Sequence, residues 1–187
     1  MSIQDEAPPP GRIPIRRVVL LGYMCSGKST VGAALSRRLE WSYLDFDVEI
    51  EHREGRTVKE VVANGGEERF RALEAALTEE AAGVAGVVLA PGGGWITRPE
   101  MLEVLGPGTL SVWLRTSPQE TVRRLREDGI DRPFRQDPDA LHRVAEMLAS
   151  REPLYRLADL TVPTDLRTPE EIAFEIEQVV RTRAALA

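Results

Sequence analysis

The sequence predicts a single α/β domain in which a parallel β-sheet carries helices on both faces. Short apolar or β-branched runs alternate along the chain with longer amphipathic stretches, a pattern typical of strands buried between layers of helices. The chain has 187 residues, of which 42% are hydrophobic. That is enough for one sizeable core and too little for two domains of ordinary size.

Five of the short runs are predicted to be strands, because each is brief and rich in apolar or β-branched residues. In chain order they are Arg17–Leu21, Ser42–Leu44, Val87–Ala90, Leu110–Leu114 and Leu160–Val162. Residues 1–16, before the first strand, are rich in proline and cannot offset their ordering entropy by burial. We therefore expect a flexible tail over residues 1–16 and a single domain over residues 17–187.

Eight amphipathic stretches are predicted to be helices. Several begin with proline, whose missing N–H is harmless in the first turn. In chain order the predicted helices are Lys28–Glu40, Phe46–Glu54, Val58–Asn64, Glu67–Ala82, Pro99–Leu105, Pro118–Glu127, Pro138–Ser150 and Pro169–Ala185. The polar segment at about residues 128–138 is placed like a mobile lid over a binding site.

Composition excludes several classes of partner. The net charge of −6, with acidic and basic residues interspersed, offers no basic stripe for nucleic acid. The single cysteine cannot form an internal disulfide, and neither a membrane-length apolar run nor a signal peptide is apparent. We expect a cytoplasmic protein without a nucleic-acid or membrane partner, and a monomer, since nothing in the sequence demands an oligomer.

The strongest motif runs from Gly22 to Ser29. It matches G-x-x-x-x-G-K-[ST] directly between the first predicted strand and the first predicted helix. Glycines let backbone N–H groups wrap phosphates, the helix start adds partial positive charge, and Lys28 reaches the outer phosphates. Ser29 is predicted to bind Mg²⁺, and Cys25 to serve as a small residue that fits the loop. A plain glycine turn is the alternative, but strand, loop and helix in this order favour phosphate binding.

Two aspartates follow the second predicted strand, where an open α/β sheet collects ligands. Asp45 and Asp47 are two residues apart, so both lie at the carboxyl end of one strand. Phosphoryl transfer needs a metal ligand, a group that orients the attacking hydroxyl, and cations for the developing charge. The aspartates are candidates for the first two parts. The alternative is that one of them only caps the next helix.

Further candidates for binding an acidic acceptor lie downstream. Arg71 and Glu74 are three residues apart, on one helical face where they can pair, although a solvated surface pair is the ordinary alternative. Three consecutive glycines, residues 92–94, follow the third predicted strand, and glycine there permits close approach of the backbone to a ligand. Arg132 is predicted to clamp phosphates from the lid. Arg151 can bind an acidic substrate bidentately or can simply be exposed to solvent.

Taken together, these residues resemble the shikimate kinase family in order and spacing, from about Val18 to Thr164. The matching elements are the loop from Gly22 to Thr30, the run Leu44-Asp45-Phe46-Asp47, Gly66-Glu67 with Phe70-Arg71 and Glu74, the triple glycine, Arg132-Pro133 and Arg151-x-Pro-Leu-Tyr155. The resemblance implies transfer of the ATP γ-phosphate to the 3-hydroxyl of shikimate with one Mg²⁺ ion. It also implies a P-loop NTPase fold of the nucleoside monophosphate kinase type, with strand order 2-3-1-4-5.

The resemblance also implies a role for each candidate residue. The implied catalytic residues are Asp47, Lys28 and Arg132. The implied ATP contacts are Gly22, Cys25, Ser26, Gly27, Lys28, Ser29, Thr30, Arg124, which packs on adenine in this family, and Arg132. The implied acceptor contacts are Asp47, Arg71, Gly92, Gly93, Gly94 and Arg151. Ser29 and Asp45 are the implied Mg²⁺ ligands.

Three bulky residues depart from the family pattern: Phe46 between the aspartates, Trp95 after the glycines and Phe134 after the lid Arg-Pro. We expect Trp95 and Phe134 to reshape the acceptor pocket.

A kinase of another small hydroxy acid such as gluconate is one alternative, because gluconate also carries a carboxylate. A nucleotide-binding module that has lost catalysis is another, which intact Lys28, Ser29 and the aspartates disfavour.

Overall fold

The computed structural model describes residues 13–129 and 133–185 and has the predicted α/β architecture. Its strands form one parallel sheet in the order β2-β3-β1-β4-β5, which confirms the predicted order. The strands are β1 (Arg17–Leu21), β2 (Ser42–Asp45), β3 (Val87–Ala90), β4 (Thr109–Arg115) and β5 (Leu160–Pro163). Residues 1–12 of the predicted tail, and Arg132 of the predicted lid, lie outside the described residues.

Helices cover both faces of the sheet. They are α1 (Lys28–Leu39), α2 (Phe46–Glu54), α3 (Val58–Ala82), α4 (Glu100–Leu105), α5 (Pro118–Glu127), α6 (Ala140–Tyr155) and α7 (Pro169–Ala185), with a 3₁₀ turn at Trp95–Thr97. None of these described helices is both long and apolar enough to cross a membrane.

A break in α3 agrees with prediction, whereas another helix ends later than predicted. Element α3 joins the two predicted helices, Val58–Asn64 and Glu67–Ala82, at Gly66, whose φ of 76° and ψ of 169° are not helical. Helix α6 was predicted to end at Ser150 but continues to Tyr155, through Pro153. The extension places Tyr155, which is only 1% exposed, in the core, and this burial outweighs the local tendency of proline to end a helix.

The core lies on both sides of β1, which is buried along its whole length. Val19 and Leu21 belong to the cluster formed with α2, α3 and α4, whereas Val18 and Leu20 belong to the cluster formed with α1 and α7. Burial on both faces explains why this strand is a continuous apolar run rather than an alternating one. Because all strands are parallel, the segments that follow β1, β2 and β3 emerge at one edge of the sheet.

Arg17 lies at the opposite end of the sheet, where β1 begins. Its guanidinium donates to the carbonyl oxygens of Ala82 at 2.8 Å, Val84 at 2.9 Å, Leu105 at 2.8 Å and Pro107 at 3.1 Å. Burial lowers the pKa of Arg17 from its ordinary value, but a guanidinium stays charged in any case. One side chain therefore ties the C-terminal ends of α3 and α4 to the sheet.

We expect Arg17→Met to lower the free energy of unfolding by about 2–4 kcal/mol, because buried carbonyl groups lose their donors. Urea denaturation measures the difference. Arg16→Met is the matched control, since Arg16 is exposed and precedes the same strand. An equal loss of stability in both variants would contradict the assignment.

Candidate active site

The loop between β1 and α1 borders a cavity of about 750 Å³. Gly22 and Gly27 have φ values of 152° and 96°, which side-chain-bearing residues rarely adopt. A Cβ at Gly22 would lie 2.5 Å from Ser26 Oγ, so the turn has room only for glycine. Gly27 is also the N-cap residue of α1 and has no side chain to cap the helix, which leaves the first N–H groups of the helix for an anion.

Lys28 lies across this loop. Its Nζ donates to the carbonyl oxygens of Gly22 at 2.9 Å and Tyr23 at 3.1 Å. Carbonyl oxygens bind an ammonium group less strongly than phosphate does, because a hydrogen bond between two charged groups is stronger than one to a neutral acceptor. The lysine is therefore placed to exchange these carbonyls for the outer phosphates of a nucleotide.

The side chain of Asp45 accepts hydrogen bonds from residues of both α1 and α2. Its Oδ2 accepts hydrogen bonds from Ser29 Oγ at 2.7 Å and from the hydroxyl of Tyr43 at 2.9 Å. Its Oδ1 accepts from the backbone N–H of Asp47 at 3.1 Å and caps α2. The cap that sequence reasoning left as an alternative is therefore present. Burial raises the pKa of Tyr43 above its ordinary value, so its hydroxyl remains a donor.

Arg71 and Glu74 form the predicted ion pair, with Arg71 Nη1 2.5 Å from Glu74 Oε2. The pair is not a surface one, because the Glu74 side chain is only 2% exposed and that of Arg71 is 18% exposed. The other carboxylate oxygen of Glu74 accepts from the backbone N–H of Gly92 at 3.2 Å. Burial raises the pKa of Glu74, and the Arg71 guanidinium opposes that shift. Glu74 therefore links Arg71 to the three consecutive glycines, residues 92–94, which we call the glycine segment.

The three glycines pack closely against charged side chains and against the phosphate-binding loop. A Cβ at Gly92 would lie 2.7 Å from Glu74 Oε1 and 3.4 Å from Asp47 Oδ1. A Cβ at Gly94 would overlap the guanidinium of Arg71. Gly93 accepts a hydrogen bond on its carbonyl oxygen from Arg151 Nη1 at 3.2 Å. The expected reason for glycine at these positions, close approach of other groups to the backbone, agrees with this packing.

Arg124 lies on the far side of the phosphate-binding loop. Its Nη1 donates to the Cys25 carbonyl at 3.3 Å and its Nη2 to the Thr164 carbonyl at 2.7 Å. Its Nε is 2.7 Å from Oε1 of Glu120. The guanidinium of Arg123 lowers the pKa of Glu120 to about 2, so this carboxylate is ionised at neutral pH and fixes Arg124 beside the cavity.

Most predicted site residues meet at this one cavity. Those that line it are Cys25, Ser26, Gly27, Lys28, Ser29, Thr30, Asp45, Asp47, Gly92, Gly93 and Arg124. Arg71 and Arg151 lie just behind the lining, in contact with the glycines. Arg151 belongs to α6 and its guanidinium lies 5.5 Å from the ring centroid of Tyr23. Arg132 cannot be placed, because it lies outside the described residues.

The expectation for Trp95 was wrong. Its side chain is 2% exposed, and its indole N–H donates to Thr78 Oγ1 at 3.0 Å, so it lies in the core rather than in an acceptor pocket. Phe46 is likewise fully buried. Phe134, with φ 66°, packs against the small cluster around Tyr23 and Val144.

Sequence reasoning missed two features of the cavity. Glu120 was not singled out, although its spacing of four from Arg124 on α5 is the signal of an ion pair. The wall formed by residues 166–169 was also missed. Leu166 there is 97% exposed and has φ 56°. A short polar loop with one leucine carries no sequence signal for this role.

This chain is similar to shikimate kinases over most of its length. The sequence model of the family described as shikimate kinase matches residues 24–181. The shikimate kinase of Moorella thermoacetica is 37% identical over 164 residues, which cover 88% of this chain and 94% of that protein. The shikimate kinase of Pseudomonas syringae pv. tomato is 38% identical over 163 residues, which cover 87% of this chain and 94% of that protein.

Comparison with solved structures also finds a shikimate kinase. The Acinetobacter baumannii shikimate kinase in complex with shikimate has a TM-score of 0.81 at 32% identity, covering 90% of this chain and 94% of that one. A gluconokinase from Sinorhizobium meliloti has a TM-score of 0.62 at 19% identity, covering 94% of this chain and 96% of that one, which shows a shared fold alone. With its phosphate-binding loop, its paired arginine and glycine segment, and this level of identity, the chain belongs to the shikimate kinase family.

Proposed function

We propose that the chain transfers the γ-phosphate of ATP to the 3-hydroxyl of shikimate, giving shikimate 3-phosphate and ADP. The observation that carries the proposal is the convergence of Arg71, Arg151 and Asp47 on the glycine segment beside the phosphate-binding loop. Two guanidinium groups suit a carboxylate, and an aspartate suits hydroxyl groups. Shikimate carries both kinds of group on one small ring.

The nucleotide half supplies positive charge and backbone donors. We propose that N–H groups of the loop from Gly22 to Thr30 bind the phosphates and that Lys28 moves from its carbonyl partners to the outer phosphates. Arg124, held by Glu120 at the cavity wall, is proposed to pack on the adenine. By the family resemblance, Arg132 is proposed to contact the phosphates when the lid closes.

One Mg²⁺ ion is proposed to be held by Ser29 and Asp45. Their oxygen atoms lie 2.7 Å apart at the start of α1, and hard oxygen ligands are those that Mg²⁺ prefers. Among the described residues, no group of three or more His, Cys, Asp or Glu side chains forms a metal site. A Mg²⁺ ion that serves phosphoryl transfer needs only one or two protein ligands, because nucleotide phosphates and waters complete its shell. When bound, the ion neutralises charge on the β- and γ-phosphates.

Asp47 is proposed to orient the acceptor and to take its proton. It lies in the first turn of α2, where its backbone N–H donates to Asp45, and its Oδ1 lies close to the glycine segment. As the acceptor oxygen forms a bond to the γ-phosphorus, the proton moves to the Asp47 carboxylate and the bond from that phosphorus to the bridging oxygen breaks. ADP then leaves. Lys28 stabilises the charge that develops on the transferred group and the leaving phosphate.

The chain is further proposed to act as a cytoplasmic monomer without nucleic-acid partners. Most of the described candidate residues for ATP, metal and acceptor line one cavity, and Arg71 and Arg151 lie next to its glycines, so a second copy need not supply any of them. The net charge of −6 disfavours binding to a phosphate backbone.

A coupled ADP-release assay with Mg²⁺-ATP tests the function, with shikimate, gluconate or no acceptor in parallel. We expect turnover with shikimate only. Arg71→Lys should raise the KM for shikimate by about 10- to 100-fold, because an ammonium group cannot bind a carboxylate bidentately. Its KM for ATP should stay within about twofold.

Arg69→Lys is the matched control, since Arg69 precedes Arg71 on α3 and pairs with Glu54 at an exposed position. Its kinetic constants should equal those of the wild type. Turnover with gluconate in place of shikimate would overturn the acceptor assignment, and no turnover with either would overturn the assignment as a kinase of these acids.

A further inference from the structure

Tyr155, at the C-terminal end of α6, reaches the glycine segment through its hydroxyl. The hydroxyl donates to the carbonyl oxygen of Gly93 at 2.9 Å. The ring is 1% exposed and stacks on Trp113, with the ring centroids 5.6 Å apart and the planes at 12°. Stacking and burial restrict movement of the ring, and this keeps the hydroxyl next to the Gly93 carbonyl.

Arg151 shares the same acceptor. Its Nη1 donates to the Gly93 carbonyl at 3.2 Å, and a carbonyl oxygen has two lone pairs, so both donors are accommodated. The two donors differ in what else they can bind. In the proposed function the partly exposed Arg151 binds the acceptor carboxylate through its guanidinium, whereas Tyr155 is only 1% exposed and is assigned no contact with the acceptor.

Gly93 also contacts the phosphate-binding loop. A Cβ at this position would lie 3.2 Å from the backbone nitrogen of Met24 and 3.4 Å from the carbonyl carbon of Tyr23. Rotation of the Gly93 peptide would therefore move the floor of the acceptor site relative to the phosphates. Displacements of this kind are costly in phosphoryl transfer, because the reaction depends on the relative placement of the two substrates.

We propose that Tyr155 is a positioning residue that fixes the acceptor segment, residues 91–94, against the phosphate-binding loop while Arg151 engages the acceptor. The proposal rests on the proposed function for the identity of the acceptor. It assigns Tyr155 no contact with either substrate. Burial raises the pKa of Tyr155 to about 12, so the hydroxyl remains a donor throughout the neutral range.

Tyr155→Phe tests the proposal, because it removes only the hydroxyl and retains the ring on Trp113. We expect the KM for shikimate to rise about 3- to 10-fold, the change that follows from loss of one hydrogen bond. The KM for ATP should change by less than about twofold. In hydrogen–deuterium exchange without substrates, the peptide that contains residues 91–97 should exchange faster than in the wild type, because its local opening becomes easier.

Ile176→Ala is the control, since Ile176 is fully buried in the core cluster formed with α1 and α7, whereas Tyr155 belongs to the other cluster. This variant should melt at a lower temperature than the wild type and keep the KM for shikimate. A purely structural Tyr155 would behave in the same way, so an unchanged KM in Tyr155→Phe would overturn the proposal. Unchanged exchange of residues 91–97 would overturn it as well. If the wild type does not phosphorylate shikimate, the proposed function fails and the exchange experiment still decides the role of Tyr155.

Discussion

Asp47→Asn is expected to lower kcat by about 10³-fold, within the range that a positioned general base contributes. The asparagine keeps the size and the place of the side chain at the start of α2 but cannot accept the proton of the acceptor hydroxyl. Because Asp47 is assigned no contact with the nucleotide, the KM for ATP should stay within about twofold. Steady-state kinetics with shikimate, together with a binding measurement for ATP, separate the two effects.

The control for Asp47 is Glu49→Gln. Glu49 lies on the same helix and pairs with Arg53 at 2.6 Å, so the substitution changes the same charge outside the cavity. Its kcat should match that of the wild type. If Asp47→Asn retained full turnover, Asp47 would have no part in proton transfer, and the acceptor site would need another base.

Lys28→Ala should be damaging for a different reason. Lys28 is the cation at the start of α1, and its charge serves both the bound nucleotide and the transition state. We expect kcat to fall by about 10²- to 10³-fold, as for removal of one stabilising donor from a charged transition state. The KM for ATP should rise as well, while the KM for shikimate should change little.

Arg37→Ala serves as the control for Lys28, because Arg37 is an exposed cation in the last turn of the same helix. It should leave all three constants unchanged. Full activity of Lys28→Ala would be incompatible with phosphate binding by this loop. Equal losses in both variants would indicate that the helix, rather than the Lys28 charge, is what matters.

The two substitutions differ in which substrate they affect, and this difference tests the division of the cavity. Lys28 lies with the loop that follows β1, whereas Asp47 lies beyond β2 and near the glycine segment. A change in the KM for ATP should therefore accompany loss of Lys28 and not loss of Asp47. If the KM for ATP changed in both variants, the nucleotide site and the acceptor site would not be separate parts of the cavity.

The phosphate-binding loop could be predicted from the sequence because its signal is local. A strand, glycines with permitted left-handed backbone, Lys28 and Ser29 follow one another without interruption, and the fold of such a segment depends little on distant residues. The apolar runs located the three central strands β1, β3 and β4 for the same reason, since burial on both faces leaves a continuous apolar stretch. The edge strands β2 and β5 are only partly buried, and their short runs were located as well.

The acceptor half was predictable only as a set of candidates. Arg71 and Glu74 are neighbours on a helix, so their pairing follows from spacing alone. That Glu74 also binds the backbone of Gly92, eighteen residues away, depends on how α3 packs beside β3. No local pattern distinguishes this buried carboxylate from the many solvated ones in the chain.

The sequence by itself therefore determined the fold class, the strand segments, the phosphate-binding loop and the residues from which an acceptor site is drawn. Only the tertiary structure decided that Asp45 both caps α2 and meets Ser29, that Trp95 lies in the core, and that α6 continues to Tyr155. The physical reason is that these outcomes depend on burial and on hydrogen bonds between residues far apart in the chain. Local helix and strand propensities contain no information on either of them. In α6 the burial of Tyr155 outweighed the tendency of Pro153 to end the helix.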